Sequence, residues 1–247
     1  MKWLLFFLAW LMLPTAYSNT LIIGTSAQDP PFSSSADKKN HFFGFEIELM
    51  TKICMHIKAQ CKFTPLIASQ ILTELATGKI DLAVDAVIIP SNEQEIGILF
   101  SLPYLPSSAQ FITKKQSPIN TLNDIRHKRV GVRLGTLAHG TMFRDYVSKM
   151  YNTQVEMSSY LTMNDLLNAL MNDEIDVAFS NTEPVKYWYM NNSAIFKLVG
   201  RRFPIGNGYA VMGKAGQEEL MAQINKAINQ IEKDGTYERV YNRYFDL

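Results

Sequence analysis

Two segments, LTELATGKIDLAV from Leu72 to Val84 and LNALMNDEIDVAF from Leu167 to Phe179, match each other at a constant offset. Each has apolar residues at helical spacing, then a tight turn, an Ile-Asp pair and an apolar run typical of a buried strand. The match indicates two lobes of like topology, or a chance similarity that any βαβ chain can offer. If there are two lobes, the ends of the matched strands face one cleft, because open α/β sheets bind ligands beyond the carboxyl ends of their strands.

Helical and strand patterns alternate outward from these segments, which predicts an α/β fold. Strands are predicted over Leu21–Thr25, Lys62–Leu66, Ile80–Ile89, Arg129–Arg133, Gln154–Met157 and Ile175–Phe179. Helices are predicted over Phe45–Ile57, from Ile71 to Gly78, from Gly135 to about Tyr151, over Asn164–Met171 and from Pro184, with a short turn or helix at Leu122–Ile125. The last stretch, Gln217–Leu247, predicts an amphipathic helix broken at Asp234-Gly235 that returns to the first lobe.

The first residues predict export. Trp3 to Leu13 is an almost unbroken apolar run, and Ala16 and Ser18 follow in the pattern of a signal-peptidase site, with cleavage predicted after Ser18. The alternative, a membrane anchor, needs about 20 apolar residues, and this run is shorter. We therefore expect an exported protein.

Composition argues against several classes of function. The chain has 24 basic and 23 acidic residues, well mixed, whereas a nucleic-acid-binding surface would show a basic excess. Its four histidines have no metal-ligand spacing, and no cofactor motif is present. We expect neither metal nor cofactor.

The two cysteines, Cys54 and Cys61, form an even pair in a chain predicted to be exported. Such a pair favours a disulfide, and the alternative is two buried thiols. A bond here would join the end of the Phe45–Ile57 helix to the start of the next strand. A loop this short contributes about 2–3 kcal/mol on the chain-entropy model.

Seven stretches, taken in order, carry a resemblance that covers essentially all of the mature chain. They are PPF (30–32), GFEIELMTKIC (44–54) with Cys61, GKIDLAV (78–84), FSLPY (100–104), RVGVRLGT (129–136), EIDVAF (174–179) and EKDGTYERVYNRYF (232–245). Together they resemble the periplasmic solute-binding proteins for polar amino acids, whose histidine and lysine/arginine/ornithine binders have the same cysteine spacing.

The resemblance implies a type II periplasmic binding protein: two α/β lobes joined by two crossing strands, with the ligand between them. It places lobe 1 at residues 19–110 plus 207–247 and lobe 2 at residues 111–206. It also implies that the lobes close on a solute by a hinge motion. The loaded monomer then delivers the solute to the permease of an inner-membrane ABC transporter.

This sequence departs from the family where the ligand's charged groups should be held. The arginine that pairs with the α-carboxylate falls on Glu93 or Gln94, and the hydroxyl residue that also contacts the carboxylate is Leu137. The aspartate that takes the α-ammonium is Asn181, and the aromatic residue that stacks on the ligand is Ala68. Because a buried charged partner contributes about 2–5 kcal/mol, an ordinary zwitterion is a poor candidate ligand.

The polar groups that remain have several interpretations. Asp85 is a strand end in water, a contact for a cationic group, or a partner of Arg133; Arg133 is a solvated strand end or points into the cleft. Glu183 replaces the missing acid or, being next to Pro184, is a helix-start acid. The predicted ligand contacts are Asp85, Ala86, Ile88, Gln94, Arg133, Thr136, Leu137 and Asn181.

Three functions compete. The first is transport of a small polar solute, amino acid or amino-acid-like, by an ABC transporter; the solute is cationic or amide-bearing, or a zwitterion held by Arg133. The second is a periplasmic enzyme on the same fold, resembling cyclohexadienyl or arogenate dehydratases, with Glu93, Asp85 or Glu183 as general acid. The third is a sensory lobe without transport. The sequence contains no nucleophile–base pair, which favours the first.

Overall fold

A computed structural model describes residues 19–36, 41–91, 97–135 and 141–245. The predicted signal peptide and its cleavage site lie outside these residues. The strands are β1 Asn19–Thr25, β2 Gln28–Asp29, β3 Ser33–Ser35, β4 Phe42–Phe43, β5 Ala59–Pro65, β6 Leu82–Ala83, β7 Ile98–Phe100, β8 Ser108–Lys114, β9 Arg129–Arg133, β10 Glu156–Tyr160, β11 Val177–Asn181, β12 Phe196–Pro204 and β13 Met212–Lys214. The helices are α1 Phe45–His56, α2 Ala68–Ala76, α3 Met142–Tyr151, α4 Met163–Met171, α5 Thr182–Asn191, α6 Glu218–Lys233 and α7 Thr236–Phe245.

Two five-stranded sheets with equivalent topology form the two lobes. The first has the order β5-β1-β6-β13-β7 and the second has the order β10-β9-β11-β8-β12. In each, the first three strands are parallel and the fourth is antiparallel to the third. This arrangement confirms the predicted two-lobed α/β fold.

The two matched segments occupy equivalent places, α2 to β6 in one sheet and α4 to β11 in the other. Their shared aspartates make equivalent bonds: Asp81 accepts from the Ile22 N–H at 2.7 Å, and Asp176 accepts from the Arg129 N–H at 2.8 Å. Each aspartate, directly before its own strand, therefore ties that strand to the neighbouring parallel strand. The internal similarity reflects repeated topology rather than chance.

The predicted strand over Ile80–Ile89 was too long. Only Leu82–Ala83 forms a strand, and Ile88 makes an isolated bridge with Tyr209. The chain turns at Ala86, whose φ of +48° lies in the left-handed region, and the Ala86 N–H is bonded to a side chain instead of a strand. Strands β7, β8, β12 and β13, which carry no clear alternation, and the small β2-β3-β4 sheet were not predicted.

The C-terminal helices pack on the first lobe, as predicted. Arg243 of α7 pairs with Glu48 of α1 at 2.7 Å, and the Phe245 ring packs edge-on against Phe45, with a centroid distance of 4.9 Å. The break between α6 and α7 falls at Gly235, whose φ is +73°. Glycine populates this region without steric penalty.

Two short segments connect the lobes and run beside each other. The Tyr209 N–H donates to the Leu105 carbonyl at 2.8 Å, and the Ile205 N–H donates to the Ser107 carbonyl at 3.2 Å. They lie near the predicted lobe boundaries, which remain predictions. Cys54 in the last turn of α1 is bonded to Cys61 in β5, so the disulfide joins helix end and strand as predicted. No helix in the described part of the chain combines the length and apolar character needed to span a bilayer.

Candidate functional site

The carboxyl ends of strands from both sheets meet in one pocket. Asp85 and Ala86 follow β6 of the first lobe, whereas Arg133 ends β9 and Asn181 ends β11 of the second. Parallel strands run in the same direction, so their carboxyl ends lie at one edge of the sheet. The residues that follow these ends therefore lie close together. The pocket is lined by Ala68, Asp85, Ala86, Ile88, Arg133, Leu134, Gly135, Met142, Phe143 and Asn181.

Five of the eight predicted ligand contacts line this pocket: Asp85, Ala86, Ile88, Arg133 and Asn181. The other three, Gln94, Thr136 and Leu137, lie outside the described residues, as does Glu93. Ala68 also lines the pocket, so the wall at that position is a methyl group rather than an aromatic ring. The predicted roles of all these residues remain predictions.

Arg133 is buried between the lobes. Its Nη1 donates to Asp29 Oδ2 at 2.8 Å, and the exposed fractions of the two side chains are 7% and 0%. The interpretation of Arg133 as a solvated strand end is therefore wrong. Because Asp29 lies in β2 of the first lobe and Arg133 ends β9 of the second, this ion pair bridges the cleft.

Asp85 is also buried, so the interpretation as a strand end in water is wrong. Burial lowers the pKa of Arg133, but the carboxylates of Asp29 and Asp85 raise it, and the net shift is upward. Complete burial raises the pKa of Asp29, and the charge of Arg133 opposes that shift. Since a guanidinium does not lose its proton in proteins, we take the 2.8 Å pair as ionised near neutral pH.

Glu46 is a third buried acid behind this wall. Its Oε1 accepts from the Ala86 N–H at 2.9 Å and from the Tyr104 hydroxyl. Burial raises the pKa of Glu46 to about 8, and the nearby charges of Asp85 and Asp29 add to the shift. At neutral pH Glu46 is therefore protonated. It holds the turn at Ala86 without adding charge.

Asn181 is buried at the end of β11, directly before α5. Its Oδ1 has no hydrogen-bond partner among the described residues. A buried amide oxygen without a donor is costly, so a ligand N–H that reaches Asn181 gains a bond and removes that cost.

Glu183 lies in the first turn of α5, away from this pocket. It accepts from the Tyr209 hydroxyl at 2.9 Å and lines a separate pocket with Tyr187, Arg202 and Tyr241. The helix-start interpretation of Glu183 is thus the better one, because the residue does not reach the place of the missing acid.

Asp29 and Glu46 were not among the predicted site residues. Asp29 directly precedes the PPF stretch, and Glu46 lies within GFEIELM, but neither was assigned a role. Only the three-dimensional structure places both acids near Asp85. Within the described residues, no group of three or more His, Cys, Asp or Glu side chains has an arrangement that could hold a metal ion.

Known proteins share this fold and sequence. The chain is 34% identical to an arginine 3rd transport system periplasmic binding protein from Legionella pneumophila, with a TM-score of 0.84, covering 92% of this chain and 100% of that one. It is 28% identical to the ABC transporter arginine-binding protein 1 of Escherichia coli (strain K12), covering 90% of this chain and 89% of the relative. It is also 28% identical to the lysine/arginine/ornithine-binding periplasmic protein of that strain, covering 94% and 90% respectively.

Residues 21–247 match the bacterial extracellular solute-binding proteins, family 3. The match includes both lobes and both connecting segments. The chain therefore belongs to family 3 of the bacterial extracellular solute-binding proteins.

Proposed function

We propose that this protein is the periplasmic solute-binding component of an ABC transporter and that its solute is an amino acid or amino-acid-like molecule carrying a positively charged nitrogen. Family membership and the cleft between two hinged lobes support the transport function. Closure of the lobes around the solute creates the form that the permease recognises. Asp85, Ala86, Ile88, Arg133 and Asn181 are the proposed contacts among the described residues.

The charge of the cleft carries this proposal. Among the described residues, two buried carboxylates, Asp29 and Asp85, lie close to one guanidinium, Arg133, and Glu46 is neutral. With both aspartates ionised, these described groups carry a formal charge of −1. Burying an anionic solute there would add repulsion in a medium that screens charge poorly, whereas a cationic solute neutralises the site.

An enzymatic function is less well supported. The relatives named above are binding proteins. Of the three candidate acids, Glu93 lies outside the described residues, Asp85 lies close to the charge of Arg133, and Glu183 lies outside the pocket. A general acid must hold a proton near the substrate, and neither Asp85 nor Glu183 is arranged to do so.

A solute panel tests the proposed ligand class. Thermal unfolding of the mature protein is measured with cationic, neutral and anionic amino acids and with their amides and decarboxylated amines. We expect cationic members to raise the unfolding midpoint, and Asp85→Asn to abolish the rise. Asp81→Asn, a change at the other end of the same strand region, serves as the matched control and should retain binding. Stabilisation by anionic amino acids alone would contradict the proposal.

The proposal extends to the export and the oligomeric state of the protein. We infer a periplasmic monomer whose signal peptide is removed after Ser18, with lobe 1 at residues 19–110 plus 207–247 and lobe 2 at residues 111–206. The N-terminal sequence and intact mass of the exported protein test the cleavage site. Light scattering with and without solute tests the monomeric state, and a stable dimer would contradict it.

A further inference from the structure

We propose that Arg133 is a tethered occupant of a guanidinium site formed by the first lobe, so that removing its side chain creates a binding site for free guanidinium compounds. The inference rests on the solute-binding fold proposed above, but it concerns a part of the cleft that the protein fills itself. The ligand class is a planar cation of the guanidinium type.

The position of the guanidinium supports this assignment. It is carried by the second lobe but makes its 2.8 Å ion pair with Asp29 of the first lobe, and Asp85 of the first lobe is close enough to raise its pKa. The cation thus lies where a solute held by the first lobe would lie. Only its covalent connection to β9 distinguishes it from a bound ligand.

The acids of the first lobe form a site prepared for a cation. Asp29 is completely buried, and its Oδ1 has no hydrogen-bond partner among the described residues. Carboxylates are buried only when they are paired, since an isolated buried charge is very costly. Without Arg133 the acids would have to bind another cation, take up protons or separate.

The geometry also disfavours Arg133 as the anchor of a solute carboxylate. Its guanidinium is already neutralised by Asp29, and Asp85 adds a second negative charge nearby. A third carboxylate would be repelled, because like charges in a poorly solvated site raise each other's energy. The occupied site therefore restricts the solute to the remaining space of the pocket, beside Asp85, Phe143 and Asn181.

Chemical rescue tests the proposal. Thermal unfolding of Arg133→Ala is measured in millimolar guanidinium and methylguanidinium, with sodium and urea at matched concentration as the cation and shape controls. Because guanidinium has few atoms, its expected dissociation constant is on the order of 1 mM. At tenfold excess it should raise the midpoint of the variant by about 3–6 °C. Wild type should show no such rise.

Two further variants make the result specific. Arg129→Ala removes the arginine at the other end of β9 and should not respond to guanidinium. The double variant Arg133→Ala, Asp29→Asn should lose the response, since the carboxylate has become an amide. An equal response of Arg129→Ala and Arg133→Ala would overturn the proposal. So would a response to urea as large as that to guanidinium.

A second measurement serves if Arg133→Ala does not fold. Asp29→Asn keeps the shape of the side chain but weakens the bridge between the lobes. Small-angle scattering of the solute-free protein should then show a larger radius of gyration than wild type. Gln28→Ala, which removes only an exposed hydrogen bond to Asn164 of the second lobe, should change the radius less. An unchanged radius in Asp29→Asn would overturn the bridging role. Failure of wild type to bind any solute would contradict only the proposed function, because rescue does not depend on the natural solute.

Discussion

The two ends of strand β9 carry the same pair of residue types in opposite environments. At its start, Arg129 pairs with Asp176 of the same lobe through Nη2 at 2.7 Å and Nε at 3.2 Å, with 43% and 30% of the side chains exposed. At its end, Arg133 pairs with Asp29 of the other lobe through one nitrogen, and both are buried. The pair with more hydrogen bonds is therefore the one in water.

Burial rather than the number of hydrogen bonds decides what each pair does. Water competes for the exposed charges, and salt screens them, so the Arg129 pair mainly orients the start of β9. The Arg133 pair has no such competition, and breaking it leaves a buried charge without compensation. The first pair belongs to the repeated topology of a lobe, and the second links the lobes across the cleft.

The largest effect that would separate the two ends is expected from Asp29→Ala. It leaves Arg133 buried without its partner, and because a guanidinium cannot release its proton, the free energy of unfolding should fall by about 3–5 kcal/mol. Denaturant unfolding measures this loss. Gln28→Ala changes the adjacent residue, whose contact with Asn164 is exposed, and should have little effect. Equal losses in the two variants would mean that the buried pair contributes no more to stability than the exposed contact.

Arg133→Ala should lower the free energy of unfolding by less, about 2–3 kcal/mol near pH 7, because Asp29 can take up a proton when its partner is removed. The pKa of Asp29 is already raised by burial and should rise further in the variant. At pH values between the pKa of Asp29 in folded wild type and its pKa in the folded variant, the variant binds more protons than wild type. The difference in free energy of unfolding between the two proteins should therefore widen as pH rises. Unfolding curves from pH 4 to 8 test this sign; a gap that narrows with rising pH would contradict it.

Glu46→Gln tests the third buried acid behind the wall of the cleft. The pKa of Glu46 is about 8 in the folded protein, against 4.5 for the ordinary group. Because this pKa is raised, its contribution to stability is fully present below pH 4.5 and is lost as pH rises through 8. The loss approaches about 1.4 kcal/mol per pH unit. Gln cannot titrate, so the variant should have a flatter stability profile than wild type. Unfolding curves from pH 5 to 8 compare the two slopes, and an equal slope in Glu46→Gln and wild type would contradict the prediction.

The smallest effect is expected from Arg129→Ala. Its partner Asp176 has a lowered pKa, chiefly through the hydrogen bond from the Arg129 side chain, so this pair stabilises above the ordinary pKa of 3.8 and is lost as pH falls below it. We expect a slight loss near neutral pH that added salt removes. Equilibrium unfolding at low and high salt measures it, and a salt-independent loss as large as that of Arg133→Ala would remove the contrast between the two ends.

Residue patterns alone predict the alternation of helices and strands, the repeated topology and the disulfide. These features depend on local spacing and on residues close in the chain: α1, β9 and α4 were predicted within a residue or two, and Cys54 and Cys61 are separated by only 7 residues. The Ile-Asp pairs could be matched as sequence, whereas their hydrogen bonds to Ile22 and Arg129 span 59 and 47 positions and are visible only in the structure.

The charge arrangement of the cleft, in contrast, depends on how the two lobes come together. Asp29 and Arg133 are separated by 104 positions, and whether an arginine at a strand end is solvated depends on what the other lobe places opposite it. The prediction of one strand over Ile80–Ile89 was wrong for a related reason. The Ala86 N–H donates to Glu46 of α1, so it is not available to a neighbouring strand. Apolar periodicity determines which face of an element is buried, but the pairing of buried charges depends on how the lobes meet.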